Sequence, residues 1–302
     1  MRERRLRPNG DPRQRWATLA DLAADDLDTA RLLEAHMDAV LINAELDGPR
    51  PESGEYWAAE PPDGKVVAEP VGAGRWELNG VKRWCSGARL CTHALVTAHA
   101  PDGARLFAVA LDQDSVQPGE GAWTGLGMRR SGTEDVKLSR AVGSPAGVPG
   151  AYLEWLGFWF GAIGVSACWS GGAGGVARTL WRARDRLDEH GLAHLGAVDL
   201  ALSAARAALL DAATAIGRRQ DHRSADPLAS ARARALRVRG IVEFAVSATI
   251  DRTGRALCPA PLAHDDDHAQ RVADLTVYVR QSHAERDLAT LGELSEPAAV
   301  GL

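Results

Sequence analysis

Trp76-Glu77-Leu78-Asn79-Gly80-Val81-Lys82-Arg83-Trp84-Cys85-Ser86-Gly87-Ala88 is the stretch on which the fold class turns. Apolar and polar residues alternate over 75–78. Asn79-Gly80 is the preferred pair for a two-residue hairpin, because both positions tolerate positive φ, and 81–86 then runs back out as a second strand. Further short apolar strands follow at 94–98 and 106–111, each reached through a turn such as Pro101-Asp102-Gly103. The pattern predicts an all-antiparallel β domain over residues 56–150.

Outward from this block the period changes from two to 3.6. Residues 14–47 carry Trp16, Leu19, Leu22, Leu27, Leu32, Leu33, Val40 and Leu41 at helical spacing, until Gly48-Pro49-Arg50-Pro51 breaks the chain. Beyond Pro149-Gly150 the chain reads as helices to near its end. Leu195, Val198, Leu202, Ala205, Leu209, Ala212 and Ile216 recur at steps of three and four, as do Ala231, Ala235, Val238, Val242 and Ala245. With an uncharged helix from about residue 158 and one from about 268 to 291, four helices are expected, the number for a bundle. The whole is an α+β chain: a short helical segment over 1–55, a β domain over 56–150 and a helical bundle over 151–302.

Composition narrows the function. The 302 residues carry 35 Lys+Arg against 40 Asp+Glu, a formal net charge of −5, with 45% hydrophobic residues. A mildly acidic chain without a basic block beyond its first ten residues has no nucleic-acid footprint. Cys85, Cys91, Cys168 and Cys258 form no CxxC pair and read as reduced, buried thiols. The basic start is followed by no apolar run of signal-peptide type, so the cytoplasm is expected. Residues 155–177 lack charge and are long enough for a bilayer crossing at about 20 residues. Their seven glycines suit a helix wrapped by protein better than one wrapped by lipid, so no membrane partner is expected. His264-Asp265-Asp266-Asp267-His268 has histidines at ligand spacing, but three aspartates are what a helix start attracts, so no metal is expected.

Three strings, in order, resemble the acyl-CoA dehydrogenase family. Tyr56-Trp57-Ala58-Ala59-Glu60-Pro61 is similar to its flavin-edge strand, 76–88 to its hairpin, and Gly127-Met128-Arg129-Arg130-Ser131-Gly132-Thr133 to its glycine-arginine-serine-threonine turn. The resemblance implies an FAD-dependent oxidoreductase acting on an acyl thioester or related small molecule. It also implies a homo-oligomer, or a heteromer with a related subunit. The cofactor residues implied are Tyr56, Ala58, Ala59, Trp84, Ser86 and Arg280. Chemistry agrees for two of them: an isoalloxazine ring needs an apolar wall, which Trp84 offers, and donors at its polar edge, which Ser86 offers two residues on and so on the same strand face. The same spacing also suits a core tryptophan and a strand-end hydroxyl.

Departures from the family pattern are equally legible. Ala59 stands where the family has threonine, and Leu192 where an arginine grips the cofactor diphosphate. Only 55 residues precede Tyr56, in place of a larger helical domain. Dehydrogenation of a thioester needs a carboxylate base near the ring. The two family positions for it offer Glu154, beside Trp155, and Glu285, crowded by Arg280 and Arg286; Glu154 ranks first. His283, one turn from Asp287, is a third candidate because imidazole titrates near neutral pH, although the segment also reads as a solvated, ion-paired helical face. A flavin monooxygenase, which needs no fixed base, and a non-catalytic partner subunit are the alternatives.

Overall fold

The computed structural model describes residues 11–49, 56–59, 65–72, 74–119, 123–154, 156–221 and 227–295, with backbone alone for 56–59, 153, 154, 156 and 218–221. These fall into two compact units. One holds residues 31–125 and 129–158, the other 11–30, 126–128 and 159–295.

The first unit is built on seven strands: β1 (Tyr56–Ala59), β2 (Val66–Gly72), β3 (Arg75–Cys85), β4 (His93–Ala100), β5 (Gly103–Ala110), β6 (Val116–Pro118) and β7 (Glu134–Ala146). The order is β1-β4-β2-β3-β7-β5. An added β4–β5 pairing closes the sheet into a small barrel, with β6 on β7. The sheet is mixed rather than all-antiparallel, because β4 runs parallel to both β1 and β2. The parallel contact follows from β3, which carries the chain back before β4 sets out again beside β2. Leu78, Ala94, Phe107, Val109 and Val136 fill the interior.

Asn79-Gly80 does not turn the chain. β3 runs straight through it, and the β2–β3 hairpin closes around Gly72 (φ 92°) and Gly74 (φ 72°) instead. The permissive pair serves a bulge. The register against β7 slips between Leu78 and Asn79, and the extra residue, Arg140 at φ 59°, gives its N–H to Asn79 Oδ1 at 2.8 Å. At Gly80 a Cβ would lie 2.3 Å from the Lys65 carbonyl oxygen, so only glycine fits there.

In the second unit the stretch expected as one helix over 14–47 starts as α1 (Pro12–Asp25), and α2 (Leu27–Glu45) leads into the first unit. Asp26 divides them: its carboxylate accepts the Thr29 N–H at 3.1 Å and so restarts the helix. α3 (Ala151–Glu154) belongs to the barrel unit; α4 (Leu156–Arg182), α5 (Glu189–Asp221) and α6 (Leu228–Leu257) form the body of the second. The uncharged stretch becomes the buried helix α4, whose Ala167, Trp169, Val176 and Leu180 are fully enclosed. Its glycines let α1 approach: a Cβ on Gly171 would lie 2.1 Å from the Ala20 carbonyl oxygen. The seams read on α5 and α6 face inward, with Val198, Ala205, Ile216, Ala235 and Val242 buried. By length and composition α5 is also apolar enough to cross a bilayer, and it carries Asp199, Arg206 and Asp211.

After α7 (Ala260–His264), the helix expected over 268–291 is broken in two, α8 (Asp266–Tyr278) and α9 (Glu285–Leu294), with a 3-10 turn over Val279–Gln281 between them. Side chains take over the backbone bonds at the break: Ser282 Oγ accepts the Ala284 N–H at 3.2 Å and Asp287 that of His283 at 3.3 Å.

Candidate functional site

The end of β3 departs from regular strand geometry in a way that selects it as a site. Against β7, Lys82 pairs with Val136 and Cys85 with Glu134, so Arg83 and Trp84 together oppose the single residue Asp135. This is a bulge, and it forces Trp84 into left-handed backbone at φ 62°. A bulky residue there is strained by about 1–2 kcal/mol. Asp135 holds the distortion, accepting the Trp84 N–H at 3.4 Å and lying 3.8 Å from the Arg83 guanidinium. The indole is 57% exposed, with the Trp123 ring edge-on at 5.6 Å. An apolar ring held outward at the expense of strain is available to stack on a planar partner.

The bulge also breaks the alternation expected of this segment. Trp84 is exposed, while Cys85 and Ser86 are buried in succession, because the strand ends at Cys85 and Ser86 begins a turn. Trp84 and Ser86 are therefore not same-face neighbours on a pleat. Burial pushes the Cys85 thiol well above its ordinary range, which leaves it an unreactive core group. Cys258, by contrast, is exposed, so not all four thiols are buried.

Ser86 meets a second motif. Its Oγ lies 2.9 Å from Thr133 Oγ1, which lies 2.8 Å from Ser131 Oγ; all three residues are buried. The Gly87 N–H donates to the Ser131 carbonyl at 2.8 Å, tying the two turns together. Three hydroxyls in a row have one proton each. When Ser131 donates to Thr133 and Thr133 to Ser86, the Ser86 proton is left to donate outward. Ser131, Thr133 and Trp123 were not picked out as site residues in the sequence, although the first two stand inside the quoted glycine-arginine-serine-threonine string. What was missing was the tertiary contact across 47 positions.

The remaining candidates are placed as follows. Tyr56, Ala58 and Ala59 lie on β1, in register with His93, Leu95 and Val96, and their side chains lie outside the described residues. Glu154 ends α3, and its side chain too lies outside them. Arg280 is exposed with its Nη1 3.6 Å from Glu243 Oε1. His283, also exposed, sets its Nδ1 3.4 Å from Asp287 Oδ1, and Asp287 lies 3.9 Å from the buried Arg239. Glu285 opens α9 and faces solvent. The segment 280–287 is thus a helix start with ion-paired neighbours. At 264–268, Asp265 accepts the His268 N–H at 3.0 Å as a helix cap, and buried His268 sets Nδ1 2.9 Å from Thr179 Oγ1. Burial holds that imidazole below its ordinary range. Among the described residues no group of three or more His, Cys, Asp or Glu could hold a metal.

Among known proteins, an amino sugar nitrososynthase, RubN8, from Streptomyces rubradiris is 44% identical over 72 residues; the match covers 22% of this chain and 17% of that protein. The chain thus spans under a fifth of the curated relative it matches. Among solved structures, KijD3 in complex with FMN and dTDP-3-amino-2,3,6-trideoxy-4-keto-3-methyl-D-glucose superposes with a TM-score of 0.79 at 20% identity, over 94% of this chain and 79% of that one. FMN-bound TdsC from Paenibacillus sp. A11-2 gives 0.82 at 19%, over 95% and 84%. No family model matches the chain. At these identities the likeness shows the fold alone, an acyl-CoA dehydrogenase-like one, and both of these solved structures hold FMN. The residues on the barrel fit such a cofactor: Trp84 as a wall for the ring and the hydroxyl row as a donor at its polar edge.

Proposed function

We propose that the chain is a flavin-dependent oxidoreductase, and within that class a monooxygenase acting on a small molecule that bears an amine. The single observation carrying the flavin reading is Trp84, exposed yet held at φ 62° beside the Ser86–Thr133–Ser131 hydroxyl row. Bound flavin supplies two-electron transfer and, when reduced, activation of dioxygen. The chain's own part is to stack the ring on Trp84, to donate a hydrogen bond from Ser86 Oγ at its edge, and to keep that hydroxyl oriented through Thr133.

Oxygenation rather than thioester dehydrogenation is supported by the candidate bases whose side chains are described: Glu285 opens a helix and His283 is paired with Asp287, whereas an oxygenase needs no fixed carboxylate. The nitrososynthase match supports nitrogen as the atom oxidised. FMN is preferred to FAD, because exposed Leu192 stands where a diphosphate-binding arginine is expected and offers no fork for a second phosphate. A homo-oligomer working in the cytoplasm is part of the proposal. Leu192 and Leu200 on α5 and Phe244 on α6 are exposed and offer apolar side chains to such an association.

The test is to load the purified chain with FMN or FAD and to follow oxygen uptake with reduced flavin and an amino sugar nucleotide, in parallel with anaerobic addition of acyl thioesters. FMN binding with amine-dependent oxygen uptake is expected. Anaerobic bleaching of the flavin by an acyl thioester would transfer the assignment to a dehydrogenase. A chain that takes up neither flavin rules out both.

A further inference from the structure

The helical unit contains a cavity of about 520 Å³ between α1, α4 and α5, a volume within the usual ~300–1,000 Å³ of small-molecule sites. Its interior is apolar, with Trp16 and Ala20 from α1, Ala167 from α4, and Leu202, Leu209 and Ala213 from α5. Small residues create it. Gly171 clamps α4 against the α1 backbone, while a Cβ added to Gly174, which lines the cavity, would meet nothing within 4 Å. The rim is cationic: Arg13, Arg178 and Arg206 stand against a single lining acid, Asp21. Two of the three arginines are tethered. Arg178 is ion-paired with Asp25, whose carboxyl is held below the usual range by it, and Arg13 donates to Thr214 Oγ1 at 2.5 Å.

We propose that this cavity binds an amphipathic anion, an apolar chain ending in one carboxylate, with the chain against Trp16 and Leu209 and the head group among the three arginines. The interior sets the body of the ligand: apart from the Ser170 hydroxyl and the Trp16 indole N–H its lining offers no side-chain hydrogen bond, so most polar groups carried inward would be desolvated without partners. The rim sets the head group, because planar guanidinium forks pair best with a carboxylate or phosphate and the tethers reduce the entropy lost on binding. The site lies wholly within the helical unit and does not rest on the flavin reading.

Isothermal titration of the full chain with decanoate, decanol and inorganic phosphate tests the proposal, with circular dichroism and urea denaturation as independent checks of the fold. Decanoate is expected to bind, decanol at least about tenfold more weakly, and phosphate without displacing decanoate. Gly174→Leu, which fills open space and raises helix propensity, weakens decanoate by about tenfold or more, and Arg206→Glu by about fivefold or more, while the circular dichroism spectrum is unchanged. No decanoate binding overturns the site. So does binding indifferent to both substitutions, equal affinity for decanol, or displacement by phosphate. If Gly174→Leu instead alters the sedimentation coefficient without affecting decanoate, the groove is covered by a second copy of the chain and the proposal fails. Arg206→Glu alone decides if Gly174→Leu does not fold.

Discussion

Two segments are dense in chemistry-bearing residues, Arg83–Ser86 at the end of β3 and Arg280–Asp287 before α9, and the structure treats them in opposite ways. At the first, left-handed backbone at Trp84 holds an indole in solvent, next to three hydroxyls buried in a row. At the second, the backbone is left-handed too, at Ala284 (φ 43°), but the polar groups have structural partners: Arg280 with Glu243, His283 with Asp287, Ser282 with the Ala284 N–H. The difference teaches that a cluster of titratable residues in a sequence is weak evidence of a site, because helix starts attract the same residues for capping. A large aromatic ring held in solvent on strained backbone is stronger evidence.

The contrast is broken most easily at Trp84. Trp84→Ala is expected to weaken FMN binding about tenfold or more, as loss of an aromatic stacking platform worth roughly 1–3 kcal/mol requires, with unfolding little changed. Equilibrium dialysis of FMN measures it, and undiminished affinity would erase the distinction between the two segments. Next in size, Thr133→Val leaves the buried Ser86 and Ser131 hydroxyls without their shared partner, at about 1–3 kcal/mol in urea denaturation. Thr133→Ser, which keeps the hydroxyl, recovers most of that loss. A Val variant as stable as the parent would show that the row does not bear on the fold.

Smaller still, and of opposite sign, Trp84→Gly relieves the left-handed backbone and raises stability by about 1 kcal/mol while FMN binding is lost. A stability decrease would mean that the indole packs more than it strains. The smallest effect is expected at the second segment. His283→Ala changes stability by less than about 0.5 kcal/mol, as an exposed side chain in a capping role should. Glu285→Gln leaves flavin affinity unaltered, and if it slowed single-turnover flavin reduction severely, the ranking of the two segments would be reversed.

Periodicity in the sequence was sufficient to determine the strand block, the buried seams of α5 and α6 and the glycine-rich character of α4, because burial on one face is written at every second residue of a strand or at steps of three and four on a helix. Trp84 and Ser86 came into view through the resemblance of residues 76–88 to a known hairpin, because spacing alone suits a core tryptophan equally well. Periodicity was not sufficient at Asn79-Gly80, where local preference for a hairpin was overridden by pairing with β2 on one side and β7 on the other, and the same conformational freedom was used for a bulge. Nor did it place the break at Ala284, where Ser282 and Asp287 side chains compete with helix bonds. Which hydroxyls stand behind Ser86, and that Trp84 is turned outward, were decided by tertiary structure alone. Both depend on β3 meeting β7 about 50 residues further along the chain, with two residues opposite one at Asp135, and register between distant strands is set by the closed barrel rather than by either strand.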